Sequence, residues 1–362
     1  MVSAWKIRRE LDRLRQQLQG IMDLVTDPIA QRQLERVLAA GLPSTVGALK
    51  MGPKIALFLI YQPKGLSEST LETCRFLTRA GYIPFVVSNA PLTRQDRIRL
   101  QPCVWRIIER PNFGYDFGGY RDGLTYLRQC GLTPAELLIL NDSVWFPTIT
   151  ETGILVKLAA SPADIAGPIL RVRGSERFLE SYIFRLRRSA LEHPAFSDFW
   201  ANLKLTSNKY YVIRRGERGF SAAMRGAGLQ VEGVYDKATF VEDIAIQDET
   251  FLRSTLKYGA YIDADLVKKS VNLLQENHTG WREDAIVHIR KVLEKRQVYS
   301  SFPYANVQLT GYPLLKKSTE PVSKAWRLAY LKAVEAEEVP APSDQVLAEI
   351  RSHDLGRRHS QR

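Results

Sequence analysis

Apolar positions recur along this chain with two different periods, and the change from one to the other marks its organisation. Near the amino terminus Ile7, Leu11, Leu14, Leu18 and Ile21 alternate spacings of four and three. This predicts a helix over 3–24 with one apolar stripe and Lys6, Arg8, Arg9, Arg13 and Arg15 around it. Such a stripe suits the body of the protein, a second copy or a membrane surface. A second helix is expected near Ala30–Ala40, and Gly41–Pro53 reads as a linker.

From Ile55 the pattern turns into continuous apolar runs of strand length. Ile55–Tyr61, Tyr82–Val87, Cys103–Ile108 and Glu136–Leu140 show no alternation, which suits a sheet covered on both faces. Between the first two, Ser69 and Glu72 have capping-box spacing, Leu71, Cys74, Phe76, Leu77 and Ala80 form a buried side, and Gly81 is a stop. Between the last two, Phe117, Tyr120, Leu124 and Leu127 recur at helical spacing up to Gly131. Strand and helix alternate, so the expected fold is α/β with a mostly parallel sheet and right-handed crossovers. Further on the pattern is looser, with helices expected near Leu191–Leu203, Gly219–Gly228 and Glu242–Tyr258. Beyond Val339, Pro-Ala-Pro-Ser precedes a polar stretch read as a mobile terminus.

Composition narrows the class. With 362 residues, 45% hydrophobic and 25% charged, the chain can bury a full core as one large domain or two ordinary ones. Cys74, Cys103 and Cys130 lack metal or redox spacing and fall in apolar elements, so buried free thiols in a reducing compartment are expected. No apolar stretch approaches the length of a membrane span, and the start reads as a charged helix rather than a signal peptide, which points to the cytoplasm. The net charge of +12 admits nucleic acid, anionic lipid or an anionic substrate as partner. Its distribution is uneven. Arg171 to Arg218 holds 11 Lys or Arg against 5 Asp or Glu, half of the whole excess.

Two segments carry the candidate chemistry. Arg110-Pro111-Asn112-Phe113-Gly114-Tyr115-Asp116-Phe117-Gly118-Gly119-Tyr120 follows one strand-like run, and Leu137-Leu138-Ile139-Leu140-Asn141-Asp142-Ser143 ends another in an amide and a carboxylate. In open α/β sheets ligands sit beyond the carboxyl ends of the strands, so these polar groups are binding candidates. The first segment opens a helix, whose free N–H groups suit an anion, and Gly114, Gly118 and Gly119 would allow close approach of a ligand; they could equally serve a tight turn and close helix packing. Ser88-Asn89 and Tyr61-Gln62 also follow strand runs and are either binding groups or turn formers. His193, His278, His288, His353 and His359 form no metal spacing, and GxSxG, Walker A and GxGxxG patterns are absent from the sequence, which removes hydrolase, kinase and dehydrogenase readings. The basic, aromatic stretch Arg171–Arg188 matches no nucleic-acid reader motif.

Together these segments resemble the rhamnan synthesis protein F family, in Asn112-x-Gly114-x-Asp116 and in the strand ending Leu140-Asn141-Asp142-Ser143. Ser88-Asn89, Glu180-Ser181-Tyr182-Ile183-Phe184, Phe196-Ser197-Asp198-Phe199-Trp200 and Tyr312-Pro313-Leu314-Leu315-Lys316 agree in order, so the likeness runs from about Ile55 to about Lys317. The resemblance implies a GT-A-like glycosyltransferase domain over 54–320, with a nucleotide-binding half at 54–150 and an acceptor half at 151–320. A helical extension over 1–50 would precede it and a helical, mobile tail over 321–362 would follow. The implied reaction moves a sugar from a nucleotide-diphosphate donor, dTDP-rhamnose by the family's name, to a cell-surface polysaccharide or its lipid-linked precursor.

The resemblance also assigns residues. Tyr61, Ser88, Asn89, Arg110, Asn112, Gly114, Asp116, Asn141, Arg214 and Arg215 are expected to meet the nucleotide sugar. Related metal-using enzymes carry Asp-x-Asp where this chain has Asn141, Asp142 and Ser143. Asp142 is therefore the single candidate carboxylate for Mg²⁺ or Mn²⁺, helped by phosphate oxygens and waters, or else a residue closing the strand. No organic cofactor is implied. Glu217, in Gly216-Glu217-Arg218-Gly219-Phe220-Ser221, has the outline of the acceptor base, with helix-dipole complementation as its plainer role. Arg214 and Arg215 suit a diphosphate or a solvated surface. A lipid-linked acceptor would place the protein peripherally at the inner membrane face, with the amino-terminal arginines on anionic headgroups. Two rival readings are a sugar-binding scaffold without turnover, prompted by the thinned Asp-x-Asp, and a basic nucleic-acid-binding protein.

Overall fold

A computed structural model describes residues 26–150 and 152–354 together with Leu14 and Asp23. The helix expected over 3–24 thus lies almost wholly outside the described residues. The chain forms two compact units, one from the residues through Asp142 plus Leu158–Val234, the other from Ser143–Lys157 plus the residues from Tyr235 onward.

In the first unit the four apolar runs become β2 (Lys54–Ile60), β3 (Ile83–Ser88), β4 (Arg106–Glu109) and β5 (Glu136–Asn141). All four are parallel, in the order β4-β3-β2-β5. Ile55–Ile60 and Leu137–Leu140 are almost entirely out of water, which explains the lack of alternation. After a helix through 26–40 (α1), α2 (Glu68–Arg79), α3 (Arg94–Leu100) and α4 (Tyr115–Gln129) carry the three crossovers. The expected cap of α2 is displaced by two residues: Ser69 lies inside the first turn, and Ser67 in the cap position makes no side-chain cap, whereas Thr93 and Asp96 form a reciprocal capping box on α3.

The sheet extends beyond these strands on both sides. β1 (Ser44–Val46), inside the expected linker, pairs antiparallel with β4 at the edge; its three partly exposed residues carry no apolar pattern. On the other side, β10 (Ile183–Arg187) runs antiparallel to β5 and to β7 (Ile165–Gly167), and β11 (Val231–Gly233) is parallel to β7. The result is an eight-stranded sheet, parallel through its centre and mixed beyond β5. β8 (Leu170–Arg173) and β9 (Glu176–Leu179) form a separate hairpin.

Helices of this unit correct two expectations. The one expected near Leu191–Leu203 is two, α6 (Arg188–Glu192) and α7 (Pro194–Asn202), because proline starts a helix well and continues one badly. The one expected near Gly219–Gly228 begins at Lys209: α8 (Lys209–Val212) passes through a π turn (Ile213–Arg218) into α9 (Gly219–Gly226). Phe196, Phe199 and Trp200 of α7 pack with Phe220 of α9, and Trp200 stacks on Phe117 of α4 at 5.7 Å.

The second unit is largely helical. Helices Lys237–Ala245 and Glu249–Lys257 replace the one expected over Glu242–Tyr258, since Asp248 caps the second by accepting from Phe251 N at 2.8 Å. The expected mobile terminus is a packed helix through His353: Val346, Leu347 and Ile350 are buried on one face, and the enclosed Arg327 binds Asp354 at 2.7 Å. Two short strands, β6 (Val144–Trp145) and β12 (Leu315–Lys316), pair antiparallel within this unit. Of the cysteines only Cys74 is buried; Cys103 is half-buried and Cys130 exposed.

Candidate active site

The parallel strands deliver four loops to one end of the sheet. At the end of β5, Asp142 Oδ2 accepts from the Tyr61 backbone N–H and from Gln62 Nε2, both at 3.0 Å, so the loops after β2 and β5 are joined there. Asn141 is buried, and its Nδ2 donates to Asp116 Oδ2 at 3.0 Å and to the Tyr120 hydroxyl at 2.9 Å. The Tyr120 hydroxyl in turn donates to the Ser181 carbonyl at 2.8 Å. Ser181 then gives its backbone N–H and its hydroxyl to Glu217 Oε2 at 2.9 and 2.8 Å. A continuous hydrogen-bonded path therefore links Asp116, in the first turn of α4, to Glu217 in the π turn.

Asp116 and Glu217 share an electrostatic environment with Asp142. Burial pushes the Asp116 carboxyl up to about 7; the like charges of Asp142 and Glu217 push the same way, and Lys209 opposes them. A carboxyl that takes up protons near neutrality, in a polar cluster at the carboxyl end of a sheet, has the signature of a functional group.

The loop before α4 is held from beneath. Arg110 and Asp122 are both buried, with Nε to Oδ2 at 2.5 Å, and Arg110 also reaches the Asn89 side-chain oxygen at 2.8 Å and the Phe113 carbonyl at 2.7 Å. Asn89 Nδ2 passes the constraint on to Asn112 Oδ1 at 3.1 Å and to the Tyr115 carbonyl at 3.2 Å. Arg110 was expected to meet the ligand, but its side chain is fully enclosed and its donors face protein. Ser88 is likewise enclosed, its hydroxyl donating to the Ala90 carbonyl at 2.6 Å. Both residues support the loop from within. Gly118 and Gly119 favour the packing role: a Cβ would stand 2.2 Å from the Phe113 carbonyl oxygen and 2.3 Å from Leu59 Cδ1 respectively.

Gly114 and Tyr115 enter α4 with φ of 80° and 48°, and Leu205 lies against the Gly114 α-carbon. A left-handed tyrosine is costly. The residue is 38% exposed at the same end of the sheet, and its backbone is a feature that sequence reading missed, since no residue type announces a strained φ. Tyr120 was also missed as a polar group, having been counted in the apolar stripe of α4; a buried tyrosine nevertheless needs a partner for its hydroxyl.

Glu217 lies well inside the helical run from Lys209 to Gly226, so the amino-terminal dipole role is not its setting. Gly216, just before it, lets the π turn settle on Phe117, whose ring a Cβ would meet at 2.5 Å. Arg214 is exposed, and Arg215 lies over the Tyr211 ring at 4.8 Å. Tyr61 and Asn112 are exposed at the site's rim.

The donor set bears on metal binding. Among the described residues no three His, Cys, Asp or Glu side chains come together as ligands of one ion. Asp142 offers one carboxylate, and one of its oxygens already serves two N–H groups. The protein groups alone do not make a metal site.

A mixed α/β protein with a large, mostly parallel sheet flanked by helices and an acidic polar cluster at the sheet's carboxyl end is thus defined. The chain belongs to the rhamnan synthesis protein F family, whose model matches residues 84–258. It is 31% identical, over 267 residues that span 73% of this chain and 69% of the relative, to the uncharacterized protein y4gN of Sinorhizobium fredii (strain NBRC 101917 / NGR234). Among solved structures it is similar to the mannosyltransferase PcManGT from Pyrobaculum calidifontis in complex with GDP-Man and Mn²⁺, at 12% identity and TM-score 0.32 over 88% of this chain and 96% of that one. It is also similar to the glycosyltransferase GlyE of Streptococcus pneumoniae TIGR4, at 9% identity and TM-score 0.31 over 81% and 66%. Likeness at that level carries no function from those proteins to this one.

Proposed function

We propose that the protein is a GT-A-like glycosyltransferase that moves a sugar from a nucleotide-diphosphate donor to a glycan acceptor of surface polysaccharide synthesis. Family membership supports a transferase role; the observation that carries the site is the path from Asp116 through Asn141, Tyr120 and Ser181 to Glu217. In this reading the exposed Tyr61 and Asn112 meet the nucleotide, and Asn141 and Asp142 border the transferred sugar. Arg214 and Arg215 offer positive charge to the diphosphate.

Glu217 is the proposed proton acceptor for the acceptor hydroxyl, oriented by its two bonds from Ser181. Asp116, held near neutrality in its affinity for protons, is the alternative acceptor on the same path. The protein groups do not form a metal site by themselves, so no step is assigned to an ion. Rhamnose on dTDP is the donor the family name suggests, and a lipid-linked acceptor with peripheral attachment at the inner membrane face is the matching setting. Among the described residues no helix is long and apolar enough to cross a membrane.

The test is incubation of the purified protein with a panel of nucleotide sugars, each with and without Mg²⁺ or Mn²⁺, reading released nucleoside diphosphate. Release with one donor that is lost in Asp142→Asn supports the proposal. Donor binding without release, when acceptor glycans are also supplied, would favour the scaffold reading.

A further inference from the structure

The β8–β9 hairpin stands outside the main sheet and has a composition that its own folding does not need. Six successive residues at its tip, Val172 to Arg177, are exposed. Gly174, at φ 60°, makes the tight turn, and Val172 pairs with Arg177 across the strands. The other strand is fixed: Phe178 and Leu179 are buried, and β9 packs on the π turn and α9. Hairpin and π turn together, from Leu170 to Glu180 and from Ile213 to Arg218, hold six arginines and three glutamates.

The glutamates are already engaged. Glu180 is bonded by Arg171, Glu176 lies 3.1 Å from Arg218, and Glu217 accepts from Ser181. Arg173 and Arg177 remain exposed cations on the hairpin, while Arg214 and Arg215 on the adjoining π turn are the pair offered to the diphosphate. Two apolar side chains lie among these cations in the open: Val172 at 66% and Ile213 at 38% exposure. Aliphatic groups ringed by arginines suit the boundary between headgroups and acyl chains of an anionic bilayer, where the stems bury and the guanidinium groups meet phosphate. A single-stranded nucleic acid would instead ask for exposed aromatic platforms. Here Phe178 is buried and the Tyr211 ring is covered by Arg215.

We infer that the tip of the β8–β9 hairpin, with the exposed Ile213 at its flank, is a docking surface for an anionic lipid bilayer. The inference gives a surface to the peripheral attachment proposed above, and its test is separate from that of the transferase reading, because attachment needs no turnover. It also differs from attachment through the amino-terminal stripe, since the two surfaces can be varied separately.

Co-sedimentation of the full chain with phosphatidylcholine vesicles, with and without 30% phosphatidylglycerol, tests it, at about one tenth molar salt where surface charges still act over roughly 10 Å. The expected result is partition to the anionic vesicles alone. Each arginine near such a surface is worth about fivefold in partition, so R173E/R177E should lower it at least about tenfold with an unchanged melting temperature, and V172D should weaken it further. The control K268E/K291E, with the same change in net charge on exposed positions elsewhere, should bind as the parent does. Equal binding by R173E/R177E and parent would overturn the inference. So would equal losses in the two double variants, no partition of the parent, or tight RNA binding in place of vesicle binding.

Discussion

The Asn89 side chain holds the Tyr115 carbonyl at 3.2 Å, and so fixes a tyrosine whose φ is 48°. Asn89 in turn takes a hydrogen bond from the buried Arg110. The strain at the head of α4 is thus maintained from inside the sheet. Tyr115→Gly should raise stability by about 1 kcal/mol, because relief of left-handed strain outweighs the extra chain entropy of glycine. Tyr115→Ala keeps the strain and should gain nothing. Denaturant midpoints of the two variants check this, and equal values would remove strain as the explanation.

Arg110 and Asp122 form an ion pair with no access to water. Arg110→Met strips the charge from one side and leaves Asp122 buried with, among the described residues, the 3.2 Å contact from Arg121 as its remaining ion pair. The expected loss is about 3 kcal/mol or more, seen as a lower urea midpoint. An unchanged midpoint would mean that the loop does not depend on this pair.

Asp116 sets a pH dependence whose sign is definite. Its carboxyl is raised from 3.8 to about 7 in the folded protein. Across that window the folded state keeps a proton that the unfolded chain has released, so the contribution is complete below about pH 4 and fades as pH rises through 7. Asp116→Asn can still accept from Asn141 and has nothing to titrate. The stability difference between variant and parent should therefore grow in the variant's favour from pH 4 to pH 8, as chemical denaturation across that range would record. A difference that stays flat would show that the Asp116 carboxyl is not raised on folding.

Glu217→Gln keeps an oxygen for the two Ser181 donors and loses the ability to take a proton. If Glu217 is the proton acceptor, turnover should fall about a hundredfold or more with donor affinity nearly unchanged. If it only anchors Ser181, turnover should stay near normal. In that event Asp116→Asn, assayed beside it, is expected to show the large loss.

Parts of this arrangement were legible in the sequence for identifiable reasons. β2 to β5 are buried on both faces, so they stand out as apolar runs, and the carboxylates at their ends stand out by contrast. β1, β7 and β11 are three residues each, and their pairing depends on neighbours distant in sequence. The enclosure of Arg110 was hidden because a guanidinium reads as exposed until its countercharge is located; that charge is on the next helix, at Asp122. Tyr120 was hidden for the opposite reason. Its ring fits the apolar stripe, and only the folded structure shows where its hydroxyl goes. The acids of the site could be picked out singly, while the path joining them could not.

The π turn at Ile213–Arg218 sets the site apart from the stability of the fold. Such a turn carries one residue more than a regular helix would use over the same length. Deleting a single residue there would let α8 run smoothly into α9, and the backbone would have little reason to object. What would change is the rotation of the segment, which would swing Glu217 away from Ser181. One codon's loss could therefore silence the site in a chain that still folds, so a relative lacking the extra residue could keep the architecture and serve another purpose.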